Sequence, residues 1–223
     1  MADNPPAAYD EVADAYSRTL DPEGVGLVDP ALTELVGDVA GREVLSLACG
    51  QGQDARLLAH LGATVTGVDV SEEMLRHARR HEADDQRGIV YVHGDAQDLA
   101  VFADRSFDGV VCHMALMDIP GLAATIASVA RVLRQGGWFV FSIVHPCYGG
   151  HVEIVTDYLL DHRYRKRVPP DWLPTHAYHR PLGTYVGELV RVGFRIEGLV
   201  EAHHPAADAS GVPALLYARV VKA

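Results

Sequence analysis

Short apolar strands alternate with helical segments along most of the chain, and this alternation restricts the fold more than any other feature of the sequence. The predicted strands cover residues 43–48, 63–70, 88–93, 106–112 and 138–144. The predicted helices between them cover residues 54–61, 71–81 and 122–134. Strands that alternate with helices in this way form βαβ units, which build a parallel sheet with helices on both faces. Ligands of such sheets bind at the carboxyl ends of the strands, so the residues that follow each strand are candidate site residues.

The two parts of the chain outside this alternation are interpreted as covers for the sheet. Residues 1–40 form an N-terminal cover in which helices are predicted at 9–20 and 30–39. After His145 the alternation stops, and residues 146–181 are rich in Gly, Pro, Tyr, His and Arg. We interpret that segment as an inserted cap and not as a separate domain.

The C-terminal part of the chain predicts how the sheet ends. A helical pattern at 182–192 precedes two apolar segments, 195–202 and 214–222, and the short connection between them favours an antiparallel pair. We therefore predict one α/β domain over residues 1–223. Its sheet is Rossmann-like, seven-stranded and mostly parallel, with an antiparallel last strand.

Charge limits the partners that this chain is expected to bind. The 223 residues include 30 acidic residues and 19 Lys or Arg residues, which gives a formal charge of −11 at pH 7. Such a surface repels phosphate groups, so no nucleic acid partner is expected. The basic run from His162 to Arg167 is interpreted as a solvated loop or helix face.

The sequence also gives expectations about location. No apolar stretch approaches the roughly 20 residues that a membrane span requires. The first residues lack the basic and apolar regions of a signal peptide. Cys49, Cys112 and Cys147 are too few and too scattered for a disulfide framework and are interpreted as small buried hydrophobic residues. We expect a cytoplasmic protein without membrane contact, and the choice between monomer and homodimer stays open.

A glycine-rich turn follows the first strand of the alternation. The residues from Gly50 to Ala55 fit the pattern G-x-G-x-x-G/A, and Asp69 ends the next strand 19 residues later. Glycine lets a ligand approach the backbone, and a carboxylate at the second strand can accept hydrogen bonds from a ribose diol. These features predict an adenosine-type ligand, which enzymes that use NAD and enzymes that use S-adenosylmethionine both bind.

Further motifs distinguish the two ligands. Val44-Leu45-Ser46-Leu47 leads into Ala48-Cys49-Gly50-Gln51-Gly52, and Asp69 lies in Gly67-Val68-Asp69-Val70. Gly94-Asp95-Ala96, Ser106-Phe107-Asp108 and Leu133-Arg134-Gln135-Gly136-Gly137 follow in order. In this order and spacing, over about residues 40 to 145, the chain resembles the class I S-adenosylmethionine-dependent methyltransferases.

The resemblance implies a set of cofactor contacts. Asp69 would accept from the ribose, Asp95 and Ala96 would contact the adenine edge, and Met74 and Leu99 would contact its faces. The full implied set is Tyr16, Ala48, Cys49, Gly50, Gly52, Asp69, Val70, Met74, Gly94, Asp95, Ala96, Cys112 and His113. Two positions depart from the family pattern: Ser46 stands in place of an acidic residue and Ala48 in place of the first glycine. Asp10 or Tyr16 is a candidate to compensate for the missing charge at Ser46.

Methyl transfer from S-adenosylmethionine to a small-molecule O or N nucleophile is the function that the resemblance implies. A base is needed only where the nucleophile carries a proton. The candidate bases are His145, His113 and His179: the first two follow predicted strands, and His179 lies just before the predicted helix 182–192. Residues in or near the cap would contact the acceptor: Met117, Tyr148, Trp172, Tyr178 and Arg180. Arg180 with His179 could orient an anionic acceptor, or Arg180 could simply pair with an acidic neighbour.

Other functions stay open at this point. An NAD-dependent oxidoreductase would share the glycine turn, although the chain lacks a Tyr-x-x-x-Lys pair and Gly94-Asp95-Ala96 has no role in that chemistry. A protein of the same fold could also bind S-adenosylmethionine without transferring its methyl group. The run His145-x-Cys147-x-x-x-His151 matches no common zinc spacing, so no metal is predicted.

Overall fold

The fold is built around a seven-stranded sheet. The computed structural model describes residues 9–20, 29–148, 158–165, 176–203 and 213–223. The helices are α1 Ala13–Leu20, α2 Pro30–Val36, α3 Gln53–His60, α4 Glu72–Asp84, α5 Leu122–Val132 and α6 Leu182–Arg191. The strands are β1 Glu43–Leu47, β2 Thr64–Asp69, β3 Val90–His93, β4 Phe107–His113, β5 Leu133–Val144, β6 His162–Arg165, β7 His176–His179, β8 Phe194–Ala202 and β9 Leu215–Lys222.

The order of the strands confirms the predicted α/β fold. The large sheet runs β3-β2-β1-β4-β5-β9-β8, and the pairs among β1 to β5 are parallel. β9 lies between β5 and β8 and is antiparallel to both. The strand order reverses at β1, so β1 and β4 diverge into the two halves of the sheet and leave a crevice at their carboxyl ends.

Apolar side chains cover both faces of the sheet. On one face, α5 and α6 contribute Ile126 and Tyr185 to a cluster with Leu45 and Phe139. On the other face, α2 and α3 contribute residues such as Leu32 to a cluster with Val44, Trp138 and Tyr217. Val44 and Leu45 are adjacent in β1 but belong to clusters on opposite faces of the sheet, because successive side chains of a strand point to opposite faces.

Several elements differ from their predicted bounds. α2 ends at Val36, where Gly37 has a φ of 70°. β5 begins at Leu133 and runs through the Gly136–Gly137 pair, although the sequence predicted a strand only from residue 138. In the described part of the chain, no helix combines the length and apolar character that a lipid bilayer would require.

A second, two-stranded sheet lies within the predicted cap. β6 and β7 pair antiparallel, with His162 opposite His179 and Tyr164 opposite Ala177. The basic run was therefore wrongly interpreted as a loop or helix face, since His162–Arg165 is a strand. The strand forms because its inner side chains pack on β7, while the basic side chain of Arg163 is exposed.

The N-terminal cover is fastened to α4 by carboxylates. Asp10, in a short 3-10 turn, accepts hydrogen bonds from the Ser71 hydroxyl and from the backbone N–H of Glu73. Ser71 is also the N-cap of α4, where its hydroxyl oxygen accepts from the Met74 N–H at 3.1 Å. One turn further, Asp14 pairs with His77. The cover is thus held across the carboxyl end of β2.

Candidate active site

Asp69 joins the glycine turn to the start of α4. Its Oδ2 accepts from the Gly50 N–H at 2.7 Å and its Oδ1 accepts from the Ser71 N–H at 2.9 Å. Burial raises the pKa of this carboxyl, although the bonds from the Ser71 and Gly50 N–H groups oppose the rise. Each oxygen retains acceptor capacity, because a carboxylate oxygen has two lone pairs. A ribose diol would find its acceptors here.

Gly50 and Gly52 of the predicted motif are glycines for different structural reasons. A Cβ at Gly50, whose φ is 52°, would meet nothing within 4 Å, so open space lies beside the turn at this point. A Cβ at Gly52 would lie 2.2 Å from the hydroxyl oxygen of Tyr91. The Tyr91 side chain of β3 therefore explains why residue 52 is a glycine, and the contact of Gly52 with a cofactor stays a prediction. The space at Gly50 and the carboxylate of Asp69 together form a cradle that fits an adenosine-type group.

Ala48 occupies the left-handed region, with a φ of 52°. This conformation is strained for a residue with a Cβ. The strain explains why glycine is the residue expected at this position of the motif. Cys49 continues the turn, and it is buried beneath it.

The residues predicted to contact the adenine differ in how they are engaged within the protein. The Asp95 carboxylate accepts from the backbone N–H of Gln97 at 2.8 Å and from the Gln97 side-chain amide. Ala96, Met74 and Leu99 are buried, and Leu99 belongs to the core cluster beneath the sheet. The remaining predicted contacts in this region, Val70 and Gly94, flank the carboxyl ends of β2 and β3.

The carboxyl end of β4 places His113 beside β5. Its Nδ1 lies 2.9 Å from the hydroxyl oxygen of Ser142, which also accepts from the Met114 N–H at 3.0 Å. Cys112 is fully buried in the core, and burial together with nearby carboxylates raises the pKa of its thiol. Cys112 was predicted to line a ligand, but its side chain packs with the core cluster instead. Cys147 is exposed, so the prediction that all three cysteines are buried is wrong for that residue.

The loop that follows β4, residues 114–121, borders two regions. On one side, the Asp118 Oδ2 accepts from the Tyr9 hydroxyl at 2.9 Å. Tyr9 in turn contacts Tyr16 edge to face, with ring centroids 6.2 Å apart. On the other side, the Met117 carbonyl accepts from the Tyr178 N–H at 2.7 Å. The loop thus connects the N-terminal cover to the hairpin of β6 and β7.

A cleft that is partly open to solvent lies between this loop, the end of β5 and the hairpin. We call it the cap pocket. Six of the residues predicted for catalysis or acceptor binding line it: Met117, His145, Tyr148, Tyr178, His179 and Arg180. The sequence did not single out the other four: Val144, Pro146, Tyr164 and Tyr185. Trp172 and His151 lie outside the described residues.

Both ring nitrogens of His145 are engaged. Its Nδ1 accepts from the Cys147 N–H at 3.1 Å, and its Nε2 lies 2.9 Å from Oε1 of Glu201. Because a backbone N–H can only donate, Nδ1 carries the lone pair and Nε2 carries the proton that Glu201 accepts. Glu201 lies on β8, and sequence reasoning did not identify it.

His179 has a different arrangement. Its Nε2 donates to the Tyr158 carbonyl at 3.0 Å, so a neutral ring has its lone pair on Nδ1. Its ring stacks on His162 across the hairpin, with centroids 4.8 Å apart, and meets Tyr158 edge to face. The side chain is 5% exposed and lines the cap pocket. No described residue hydrogen-bonds to its Nδ1.

Arg180 is a buried cation bound to carbonyl groups. Its guanidinium donates to the carbonyls of Leu116 at 3.3 Å, Ile119 at 2.7 Å and Pro120 at 2.8 Å. It also lies over the Tyr178 ring, 4.8 Å from the centroid. Among the described residues, no carboxylate forms an ion pair with it. The described structure therefore does not show the alternative in which Arg180 pairs with an acidic neighbour.

Comparison with known proteins agrees with this geometry. Residues 45–141 match a family model described as a methyltransferase domain. The chain is 32% identical to a ubiquinone biosynthesis O-methyltransferase of Aromatoleum aromaticum, over 70% of this chain and 69% of that one. It is 41% identical to a demethylmenaquinone methyltransferase of Clavibacter sepedonicus, over 60% of this chain but only 55% of that relative.

A solved structure extends the similarity to most of the chain. The S-adenosylmethionine-dependent methyltransferase of Mesorhizobium loti superimposes with a TM-score of 0.71 at 30% identity, over 86% of this chain and 96% of that one. The chain therefore belongs to the class I S-adenosylmethionine-dependent methyltransferases.

Proposed function

We propose that this protein transfers the methyl group of S-adenosylmethionine to an oxygen or nitrogen of a small molecule held in the cap pocket. One observation carries the proposal: the loop 114–121 borders both the N-terminal cover above the glycine turn and the cap pocket. Asp118 of this loop binds Tyr9, while Met117 lines the pocket. A donor beside Gly50 and an acceptor beside Met117 would therefore meet across a single loop.

The residues that would hold the cofactor lie around Gly50. Asp69 would bind the ribose, and the open space at Gly50 would receive the group attached to it. Tyr9, Tyr16 and Asp118 would close this side of the crevice. When bound, S-adenosylmethionine supplies a methyl carbon on a sulfonium that leaves as a neutral thioether.

The protein's own contribution is alignment and exclusion of water, because the donor is already reactive. The tyrosines of the cap pocket and the hairpin would shield the acceptor from solvent. Where the acceptor atom carries a proton, His179 is the proposed base, because its Nδ1 has an available lone pair. His145 would instead fix the end of β5, since its two nitrogens bind Cys147 and Glu201.

The ligand at Gly50 is the first thing to test. Calorimetry would compare S-adenosylhomocysteine, S-adenosylmethionine and NADH on the wild type and on Asp69→Ala. We expect the two sulfur compounds to bind and the substitution to weaken them about 10- to 100-fold, since it removes charge-assisted hydrogen bonds to the ribose. Asp84→Ala, which removes an exposed carboxylate of α4, is the matched control and should bind as the wild type does. Binding of NADH alone would overturn the proposal.

A further inference from the structure

The cap pocket has an unusual charge for this molecule. The chain carries 30 acidic residues against 19 Lys or Arg, yet none of the ten described residues that line the pocket is acidic. Among these ten residues, Arg180 alone carries a guanidinium, and it is 6% exposed. A buried cation without an ionic partner is costly, and an anion that binds beside it would remove part of that cost.

The described carboxylates around the pocket are engaged by other groups. Asp118 and Asp161 are the two carboxylates whose charges act on the neighbouring Tyr185. Asp118 accepts from Tyr9 and Asp161 accepts from Thr184. Glu201 binds His145 and its side chain is 53% exposed. None of them forms an ion pair with Arg180 among the described residues.

Donors remain available for an anion in the pocket. Three of the five N–H groups of a guanidinium are used by the carbonyls of residues 116, 119 and 120. Burial raises the pKa of the Tyr185 hydroxyl, whereas the charge of Arg180 and a hydrogen bond from it oppose that rise. A bond to Tyr185 uses a fourth N–H group of Arg180, so one guanidinium N–H is left for an anion. Arg180 and Tyr185 both line the pocket.

The remaining wall is aromatic. Tyr148, Tyr164 and Tyr178 line the pocket with His179. Aromatic rings favour planar ligands that stack on them. We propose that the methyl acceptor is an anionic aromatic compound, whose charged oxygen binds at Arg180 and Tyr185. This inference rests on the proposed function, because it names the compound that the proposed reaction would modify.

A series of three probes separates charge from shape. 3,4-Dihydroxybenzoate, catechol and dopamine share the ortho-dihydroxylated ring and carry charges of −1, 0 and +1 at neutral pH. Their affinities would be measured by calorimetry on protein saturated with S-adenosylhomocysteine. We expect 3,4-dihydroxybenzoate to bind about tenfold more tightly than catechol, and dopamine to bind most weakly. Equal affinities, a preference for dopamine, or binding of none of the three would overturn the inference.

Variants assign the preference to one side chain. In Arg180→Gln the advantage of 3,4-dihydroxybenzoate over catechol should disappear, whereas Arg163→Gln, which removes an exposed arginine of the same hairpin, should retain it. Arg180 also fastens the loop 114–121, so Arg180→Lys serves as a second variant that keeps the charge. It should keep most of the preference, and a preference that survives in Arg180→Gln would contradict the assignment. If S-adenosylhomocysteine does not bind the wild type, the proposed function fails instead.

Discussion

At the scale of single residues, Ala48 shows how a departure from a motif is accommodated. The chain keeps the turn that glycine would make, and an alanine adopts a φ of 52° there. The left-handed conformation costs an alanine about 1–2 kcal/mol. Glycine avoids this cost, but its larger conformational entropy in the unfolded state offsets part of the gain in stability.

Ala48→Gly is therefore expected to increase the free energy of unfolding by about 0.5–1 kcal/mol, as measured by urea denaturation. Ala127→Gly, at an exposed position in the middle of α5, is the control and should lower the free energy of unfolding by a similar amount, since glycine weakens a helix interior. If Ala48→Gly is as destabilising as Ala127→Gly, the turn is not strained at this residue.

The histidines of the cap pocket give a second prediction at this scale. His179→Gln should lower kcat about 100-fold with a hydroxyl acceptor, because the proposed base is lost, while the affinity for S-adenosylhomocysteine stays unchanged. The loss should shrink as the pH rises, since the acceptor then ionises without a base. Steady-state rates from pH 6 to 9 would show this, with His60→Gln, an exposed histidine of α3, as the control. A larger loss in His145→Gln would assign the base to His145.

Local sequence patterns identify some of these functional residues and miss others. Gly50 and Asp69 are recognisable because a short strand and a glycine turn fix their positions locally. Glu201 is not, because its contact with His145 joins residues 56 positions apart and its own surroundings are those of an exposed strand. Tyr185 reads as an ordinary core position of α6. Only the three-dimensional arrangement shows that it contacts Arg180.

At the scale of elements, regular alternation predicted the strands well and the cap poorly. Each strand from β1 to β4 has an apolar run with a turn signal at its end, so its position follows from local pattern. β6 consists of His162-Arg163-Tyr164-Arg165, in which ring-bearing and charged residues alternate but no aliphatic residue occurs, so it lacks the apolar run that marks the other strands. It is a strand because its partner β7 is anchored by Ala177, Arg180 and the Met117 carbonyl. Such long-range support is invisible in a local pattern.

Asp108 shows how a carboxylate joins elements. At the start of β4, it accepts from the Glu43 N–H of β1 at 2.9 Å and pairs with Arg134 of β5 at 2.7 Å. Burial alone would raise the pKa of Asp108, but the bonds from Arg134 and Glu43 outweigh it and lower the pKa below its ordinary value. A carboxyl whose folded-state pKa is lowered contributes stability above its unfolded-state pKa of about 3.9 and loses it as the pH falls through the folded-state pKa.

Asp108→Asn should therefore lower the free energy of unfolding by about 1–2 kcal/mol at pH 7, and the difference should shrink below about pH 4. Denaturant titrations of both proteins between pH 7 and pH 3 would measure it. Asp38→Asn, a change at an exposed aspartate, should cause no comparable difference. A penalty that persists undiminished at pH 3 would mean that the charge of Asp108 is not its source.

At the scale of the whole molecule, the overall charge and the charge of the cap pocket oppose each other. A molecule of charge −11 repels an anionic acceptor at long range, while Arg180 attracts it at short range. Dissolved ions screen the long-range repulsion, because the Debye length falls to about 8 Å at 0.15 M, but they screen a buried contact much less.

The affinity for 3,4-dihydroxybenzoate should therefore rise, or stay constant, when NaCl increases from 10 to 150 mM. A surface site for an anion would weaken instead. Calorimetry at the two concentrations would distinguish these outcomes, with uncharged catechol as the reference for any effect of salt on the protein itself. A loss of affinity for the anion alone would place its binding site on the exposed surface.

The cap pocket also has a consequence for how this protein can diversify. Of the ten described residues that line it, nine fall between Val144 and Tyr185, and Met117 lies outside that interval. Asp69 and the glycine turn are encoded well upstream. A single continuous exchange of gene sequence could thus replace nearly the whole acceptor-binding surface and leave the cradle at Gly50 intact. New substrates would then be acquired by recombination of one segment, without many coordinated point changes across the chain.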